Sequence, residues 1–313
     1  MPYGYIILKK FSFWIKFLGV ILFCLLIYKV GWEETLVSIQ KVSIAHLFIA
    51  IVVFWIAFYL KSVRWKIISN SFGIPLHSYQ ALKIFFIGLF LANITPGKLG
   101  DFGRLFYIKD QLPNQKVGWT SLIMDRIFDL ICLFFFSLIA LFYYQINFNV
   151  LKSPDNYSSV LLIGIVSLLL FFVLFIFRKK IKKYILPWWE AFNSHTLGIK
   201  GFLLAIGITC LSMILIYGVF NYIAWSMGIP INHLGLFLGV FILGLLTLLP
   251  ITVLGIGVRE TSLVVIFQLY GLPSQDAIAL SLIIFLLQLL SFIPGAIWFY
   301  LSPIQLSQLR ELK

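Results

Sequence analysis

Six long, predominantly apolar runs constrain this chain more than any other feature of its sequence. They cover residues 11–30, 44–60, 120–144, 158–177, 201–226 and 276–300. About 20 apolar residues in a helix cross the hydrocarbon core of a bilayer, so each run predicts a transmembrane helix. Only 11% of the 313 residues are charged, whereas soluble domains carry about 25%. We therefore expect an all-α polytopic membrane protein with about six transmembrane helices.

Basic residues cluster between the apolar runs. Residues 178–200 hold six of them, whereas residues 145–157 hold only Lys152 beside Asp155. The positive-inside rule then places 61–80, 178–200 and both termini in the cytoplasm. We expect a multi-pass protein of the cytoplasmic (inner) membrane. The net charge of +13 follows from this topology and from anionic headgroups, and does not indicate nucleic-acid binding.

Two further apolar runs, 81–95 and 233–249, end in stretches that contain proline, glycine and charge. The predicted topology requires residues 81–119 to leave and re-enter by the cytoplasmic face, and 233–275 to do so by the opposite face. We therefore predict two opposed re-entrant hairpins that form an inverted repeat. Interrupted segments at corresponding positions of two halves are typical of transporters with a site near the bilayer midplane.

The hairpin breaks contain six residues that interrupt a helix: Pro96, Gly97, Gly100, Pro250, Gly255 and Gly257. Irregular backbone at membrane depth is tolerated only where it is buried in protein or lines a cavity. A helix that begins at such a break exposes N–H groups that attract anions. The breaks therefore predict a binding site for an anion.

The predicted repeat divides a single integral membrane domain, residues 1–313, into four parts. The parts are N-terminal helices at 1–80, a first broken-hairpin repeat at 81–145, connecting helices at 146–232 and a second broken-hairpin repeat at 233–303.

Eight charged residues lie in or beside the predicted hairpins. We expect four cations to bind substrate: Lys98, Arg104, Arg126 and Arg259. We expect four carboxylates to orient them or to carry protons: Asp101, Asp125, Asp129 and Glu260. A charge at the bilayer centre costs at least about 2.5–3.5 kcal/mol, so these groups must face the protein interior. A purely structural clamp made by Arg126 and Asp129 remains the alternative.

Three motifs carry these charges in order along the chain. They are Pro96-Gly97-Lys98-Leu99-Gly100-Asp101-Phe102-Gly103-Arg104, Asp125-Arg126-Ile127-Phe128-Asp129 and Gly255-Ile256-Gly257-Val258-Arg259-Glu260. The set resembles the flippase-like membrane domain of lysylphosphatidylglycerol synthases, the multiple peptide resistance factors, and its stand-alone relatives. Asp101 and Asp125 depart from it, because glutamate is expected there.

The resemblance implies movement of lipids between leaflets. Aminoacyl transfer belongs to a separate soluble domain in that family, and few residues follow the last apolar run. We therefore expect a stand-alone member that is not an enzyme, with an anionic phospholipid or a polyprenyl phosphate as its lipid. Lipid- or glycan-synthesis enzymes are the candidate protein partners.

Two other functions stay open on the sequence. One is an intramembrane transferase that acts on a lipid phosphate or lipid-linked sugar, with Asp101 or Asp125 as base. The other is a scaffold for lipid-synthesis enzymes. No zinc-type His-x-x-x-His motif and no Walker phosphate loop occur in the chain, so we expect neither a metal nor a cofactor.

Overall fold

The computed structural model describes residues 32–148, 197–247 and 255–302. Within these ranges the chain forms helices joined by short turns. The predicted spans 11–30 and 158–177, together with Pro250, lie outside the described residues.

The described part of the chain contains ten α-helices, numbered here in chain order. They are α1 Trp32–Gln40, α2 Ile44–Ser71, α3 Ser78–Ile94, α4 Arg104–Tyr107, α5 Gln115–Phe148, α6 Ile199–Ser226, α7 His233–Leu246, α8 Val258–Leu269, α9 Ser274–Ser291 and α10 Ile293–Leu301. Two short 3₁₀ segments, Pro96–Gly103 and Lys109–Gln111, connect α3 to α5 on either side of α4.

Four stretches are long and apolar enough to cross a membrane: α2, α5, α6 and the consecutive pair α9 and α10. They match the predicted spans at 44–60, 120–144, 201–226 and 276–300. Large apolar side chains such as Phe48, Phe134 and Leu203 point outward from them. A surface of this kind is stable in lipid and not in water. The fold is therefore that of an all-α polytopic membrane protein.

Helix α2 is longer than the sequence predicted. The apolar run ends at residue 60, yet the helix continues to Ser71. Lys61 and Arg64 therefore lie inside the bundle, and Trp65 and Ile68 are buried beside them. The prediction that 61–80 is a cytoplasmic connection was wrong, because the connection shrinks to residues 72–77. Lys61 and Arg64 no longer count toward the positive-inside rule, and the orientation in the membrane stays a prediction.

The first broken unit consists of α3, the 3₁₀ segment Pro96–Gly103 and α4. Both of its ends contact Ser302, because Lys83 Nζ donates to its Oγ (2.7 Å) and Tyr107 Oη donates to its carbonyl (2.9 Å). Leu105 packs against Gly118 near the start of α5. The unit is thus a hairpin whose two chain ends lie near the N-terminal end of α5, and we say that it opens there.

The second broken unit consists of α7 and α8, which run antiparallel. Gly235, at the start of α7, lies against the Tyr270 side chain at the end of α8. Tyr144 Oη donates to the Gly235 carbonyl (2.9 Å), and the rings of Phe148 and Tyr270 lie 4.9 Å apart. This unit therefore opens at the C-terminal end of α5.

The two broken units open at opposite ends of α5, which is about 51 Å long at 1.5 Å per residue. Helices α7 and α8, with 14 and 12 residues, reach only about 21 and 18 Å. Neither crosses a hydrocarbon core of about 30 Å. Whether the two units are opposed re-entrant hairpins in a membrane stays a prediction. The inverted repeat and the four-part division of the chain stay predictions.

Candidate functional site

A cavity of about 530 Å³ lies between the two broken units. A volume of this size is ordinary for a ligand pocket, which ranges from about 300 to 1,000 Å³. Its wall is largely apolar, with Phe58, Phe85 and Phe220 among the aromatic contributors. Five charged side chains also line it: Lys61, Asp101, Arg126, Asp129 and Arg259. The cavity therefore combines charged groups with an apolar wall.

The first charged cluster consists of Lys61, Arg64, Asp101, Arg104, Asp125, Arg126 and Asp129. Arg64 and Asp125 form its buried base. Arg64 Nε and Nη2 donate to Asp125 Oδ1 at 2.9 and 2.7 Å, and Nη2 also donates to the Asp125 carbonyl at 3.0 Å. The Nη1 group donates to Thr209 Oγ1 on α6 at 2.8 Å. Neither charged side chain lines the cavity. This pair therefore ties α2, α5 and α6 together.

Arg104 is fully buried and does not line the cavity. Its guanidinium lies 4.8 Å from the centre of the Trp65 ring and 5.0 Å from that of Phe85. It donates to Asp101 and, at 3.4 Å, to Asp125 Oδ2. Its surroundings fit a residue that holds the first break against α2 and α5. They do not fit the predicted substrate contact.

Arg126 and Asp129 face the cavity from α5. Arg126 donates to Asp101 through Nε at 2.9 Å and also through Nη2, and its side chain remains 37% exposed. Its Nη1 lies 3.7 Å from Asp129 Oδ2. Asp129 Oδ1 accepts from Lys61 Nζ (2.9 Å) and from Arg64 Nη1 (2.7 Å). Asp129 thus connects the buried base to the cavity wall.

The second charged cluster belongs to α8 and α9. Arg259 donates to Glu260 Oε1 at 2.9 Å and to Ser281 Oγ at 2.7 Å. Ser281 Oγ in turn donates to Glu260 Oε1 at 2.6 Å. Arg259 Nη1 reaches Gln288 Oε1 at 3.4 Å, and both of these residues line the cavity. Arg259 therefore faces the first cluster from the other broken unit.

Backbone geometry explains why glycine occupies the breaks. Gly255 and Gly257 adopt φ angles of 74° and 85°, which other residues rarely tolerate. At Gly100, a Cβ would overlap the carbonyl group of Leu91. Helix α3 ends at Ile94, two residues before Pro96. Helix α3 therefore ends just before Pro96 and α8 begins just after Gly257, and the role of these residues as breaks within the membrane stays a prediction.

The N–H groups at the breaks are less available than expected. Gly257 N–H donates to Glu260 Oε2 at 2.6 Å, so the protein's own carboxylate occupies the start of α8. Gly100 N–H donates to Thr95 Oγ1 at 2.6 Å. The prediction that free backbone N–H groups attract the anion therefore fails at these two positions. Side-chain cations are what face the cavity.

The structure places seven of the eight predicted charged residues in the two clusters, and four of them, Asp101, Arg126, Asp129 and Arg259, line the cavity. Lys98 is the exception, because its side chain lies outside the described part of the chain. Two further residues of the first cluster, Lys61 and Arg64, were not predicted, because the sequence pattern assigned them to a connection. Their spacing could have indicated the site. Lys61 and Arg64 are three residues apart and would share one face of a helix, just as Asp125 and Asp129, four residues apart, share one face of another. Apolar residues also continue beyond residue 60.

The first cluster carries more positive than negative charge among the described residues. Four cations, Lys61, Arg64, Arg104 and Arg126, stand against three carboxylates, Asp101, Asp125 and Asp129, for a net charge of +1. Arg259 and Glu260 cancel each other in the second cluster. Lys61 and Arg126 line the cavity, so part of this positive charge faces the space that an anion would enter.

The fold and this cavity define a multi-pass membrane protein with a charged internal site. Residues 13–295 match the family described as the lysylphosphatidylglycerol synthase TM region. The chain belongs to this family, which is named for the membrane region of a lipid-synthesising enzyme and not for its catalytic domain. It is thus a member of a membrane-protein family tied to lipid handling.

Two archaeal proteins are similar to this chain. A UPF0104 membrane protein of Pyrococcus horikoshii is 28% identical over 151 residues, which is 47% of this chain and 45% of that protein. The chain therefore matches less than half the length of this relative. A UPF0104 membrane protein of Methanocaldococcus jannaschii is 22% identical over 283 residues, covering 81% of this chain and 83% of that protein.

Proposed function

We propose that this protein moves a phosphate-bearing anionic lipid between the two leaflets of the membrane and does not alter it chemically. The single observation that carries the proposal is the excess positive charge beside a cavity whose wall is otherwise apolar. Membership of a family tied to lipid handling supports a lipid as the anion. The phosphate would enter the cavity while the acyl chains stay in the surrounding lipid.

Of the four cations that the sequence predicted to bind substrate, Arg126 and Arg259 are the proposed phosphate contacts. Both line the cavity, and they face it from different broken units. Arg104 becomes a positioning residue, because it is buried between Asp101 and Asp125. Asp101 holds Arg126 and Glu260 holds Arg259 in the orientations described above. A headgroup could therefore pass from one arginine to the other without meeting bulk lipid.

The two broken units give this proposal its geometry. Because they open at opposite ends of α5, each leaflet would reach the cavity through a different unit. Each access route would end at the same charged wall. Transporters with interrupted helices alternate access around a fixed site in this way.

Replacing Arg126 with alanine is expected to slow translocation about tenfold, which corresponds to a loss of about 1.4 kcal/mol. The measurement uses proteoliposomes that contain fluorescently labelled phosphatidylglycerol, with a quencher added outside. Lys66→Ala is the matched control, because Lys66 bonds only to the exposed Ser78 among described partners. Equal rates for wild type and Arg126→Ala would overturn the site. Failure to move phosphatidylglycerol or a polyprenyl phosphate would overturn the function.

Mass spectrometry of the same proteoliposomes separates this proposal from a transferase. Translocation changes only the sidedness of the lipid, so its mass must stay constant. A new lipid product that depends on Asp101 or Asp125 would favour the transferase instead. A scaffold would show neither movement nor product.

A further inference from the structure

Lys61 is a cavity-lining cation that the proposed function does not yet use. It lies on α2, one turn before the buried Arg64, and its side chain is 13% exposed. Asp129, its ion-pair partner on α5, is 15% exposed, whereas Arg64 and Asp125 are 0% and 1% exposed. The Lys61–Asp129 pair therefore faces the cavity, and the pair behind it does not.

Asp129 is held by three cations from two helices. Its Oδ1 accepts from Lys61 and Arg64, and its Oδ2 lies 3.7 Å from Arg126 Nη1. Arg64 has other acceptors, namely Asp125 and Thr209. Arg126 likewise has Asp101. Lys61 differs from both, since Asp129 is the acceptor that the described structure gives it.

We propose that Lys61 contacts the lipid phosphate, and that Asp129 is an internal competitor which occupies Lys61 while the cavity is empty. This inference rests on the proposed function and deepens it. An incoming phosphate and the Asp129 carboxylate are both anions that need the same ammonium group. Displacement leaves Asp129 paired with Arg64, so the exchange exposes no unpaired carboxylate.

Competition between Asp129 and the lipid phosphate for Lys61 has a functional consequence. A site that passes a ligand onward must bind it strongly enough to admit it and weakly enough to release it. With Asp129 beside Lys61, the headgroup always competes with a carboxylate that cannot leave. Asp129 would therefore limit the affinity for phosphate and promote release.

The test compares Asp129→Asn with Asp125→Asn, two isosteric changes one turn apart on α5. Each raises the net charge of the cluster by one, but only the first frees Lys61. The probe is dihexanoyl phosphatidylglycerol, titrated calorimetrically into the purified full chain in detergent. We expect Asp129→Asn to bind about tenfold more tightly than wild type, and Asp125→Asn to gain much less.

Variants of Lys61 keep the test decisive even if Asp129→Asn does not fold. Lys61→Gln should weaken binding about tenfold, whereas Lys61→Arg, which retains the charge, should stay within about threefold of wild type. The double variant Lys61→Gln/Asp129→Asn should lose the gain of Asp129→Asn. Equal affinities for the two asparagine variants, or a gain that survives Lys61→Gln, would overturn the inference.

Translocation measured in parallel separates the two proposals. If Asp129→Asn binds more tightly but the wild-type protein moves no lipid, the competitor role stands and the transport function falls. If the wild-type protein moves lipid but the Lys61 and Asp129 variants bind as wild type does, the function stands and this inference falls.

Discussion

Replacing Arg64 with alanine is expected to lower the free energy of unfolding by about 3–5 kcal/mol, the usual cost of removing one partner from a buried ion pair. Arg64 is fully buried and donates to Asp125, Asp129 and Thr209. Without it, the contacts that the described residues leave to the buried Asp125 side chain are the longer ones from Arg104, at 3.4 Å. Equilibrium unfolding in mixed detergent–SDS micelles, followed by circular dichroism, measures the change.

Two further variants show whether the loss of stability comes from the unpaired carboxylate. Lys66→Ala lies half a turn further along α2, where its ammonium group contacts only the exposed Ser78 among described partners. It should stay within about 0.5 kcal/mol of wild type. The double variant Arg64→Leu/Asp125→Leu should recover part of the loss, because apolar replacement of a buried pair is often neutral. Wild-type stability for Arg64→Ala would contradict the structural role.

Replacing Gly100 with alanine is expected to destabilise the first broken unit by roughly 2–3 kcal/mol, the upper range for overpacking. The new Cβ would overlap the carbonyl group of Leu91, which α3 holds in place. Relief would require the 3₁₀ segment to move away from α3, and Asp101 would move with it. The variant should therefore also weaken the hydrogen bonds between Asp101 and Arg126. We expect a lower free energy of unfolding in the same micelle experiment and, in parallel, a slower translocation rate.

Gly103→Ala is the matched control for this change. Its Cβ would lie 2.8 Å from Leu91 Cδ1, which is the end of a side chain and can rotate away. We expect less than about 1 kcal/mol of destabilisation at this position. If Gly100→Ala and Gly103→Ala behave alike, the close approach of the break to α3 is not what requires glycine.

The sequence predicted the transmembrane helices of the described residues well, because they depend on local composition, and α3 ends and α8 begins beside the proline and glycine residues that it singled out. A run of apolar residues needs lipid wherever it lies in the chain. Proline and glycine likewise interrupt a helix through their own backbone properties. Helix α6 accordingly begins at Ile199 and ends at Ser226, almost as its apolar run of 201–226 does.

The site was predicted less completely, because its partners come from distant parts of the chain. Lys61 and Arg64 follow an apolar run, and a positive-inside count assigns such residues to a loop. Only the packing of α2 against α5 places them opposite Asp129 and Asp125. Similarly, the sequence shows that Arg104 must face inward, but not that aromatic rings and carboxylates enclose it away from the cavity.

The most direct test of the central claim is an electron cryomicroscopy structure of the protein in nanodiscs that contain phosphatidylglycerol. The phosphate is expected in the cavity, at a charge-assisted hydrogen-bond distance of about 2.7–2.9 Å from Arg126, Arg259 or Lys61. Its acyl chains should lead out to the bilayer. Phosphate density only at the outer surface, with Lys61, Arg126 and Arg259 sealed from lipid, would contradict the claim.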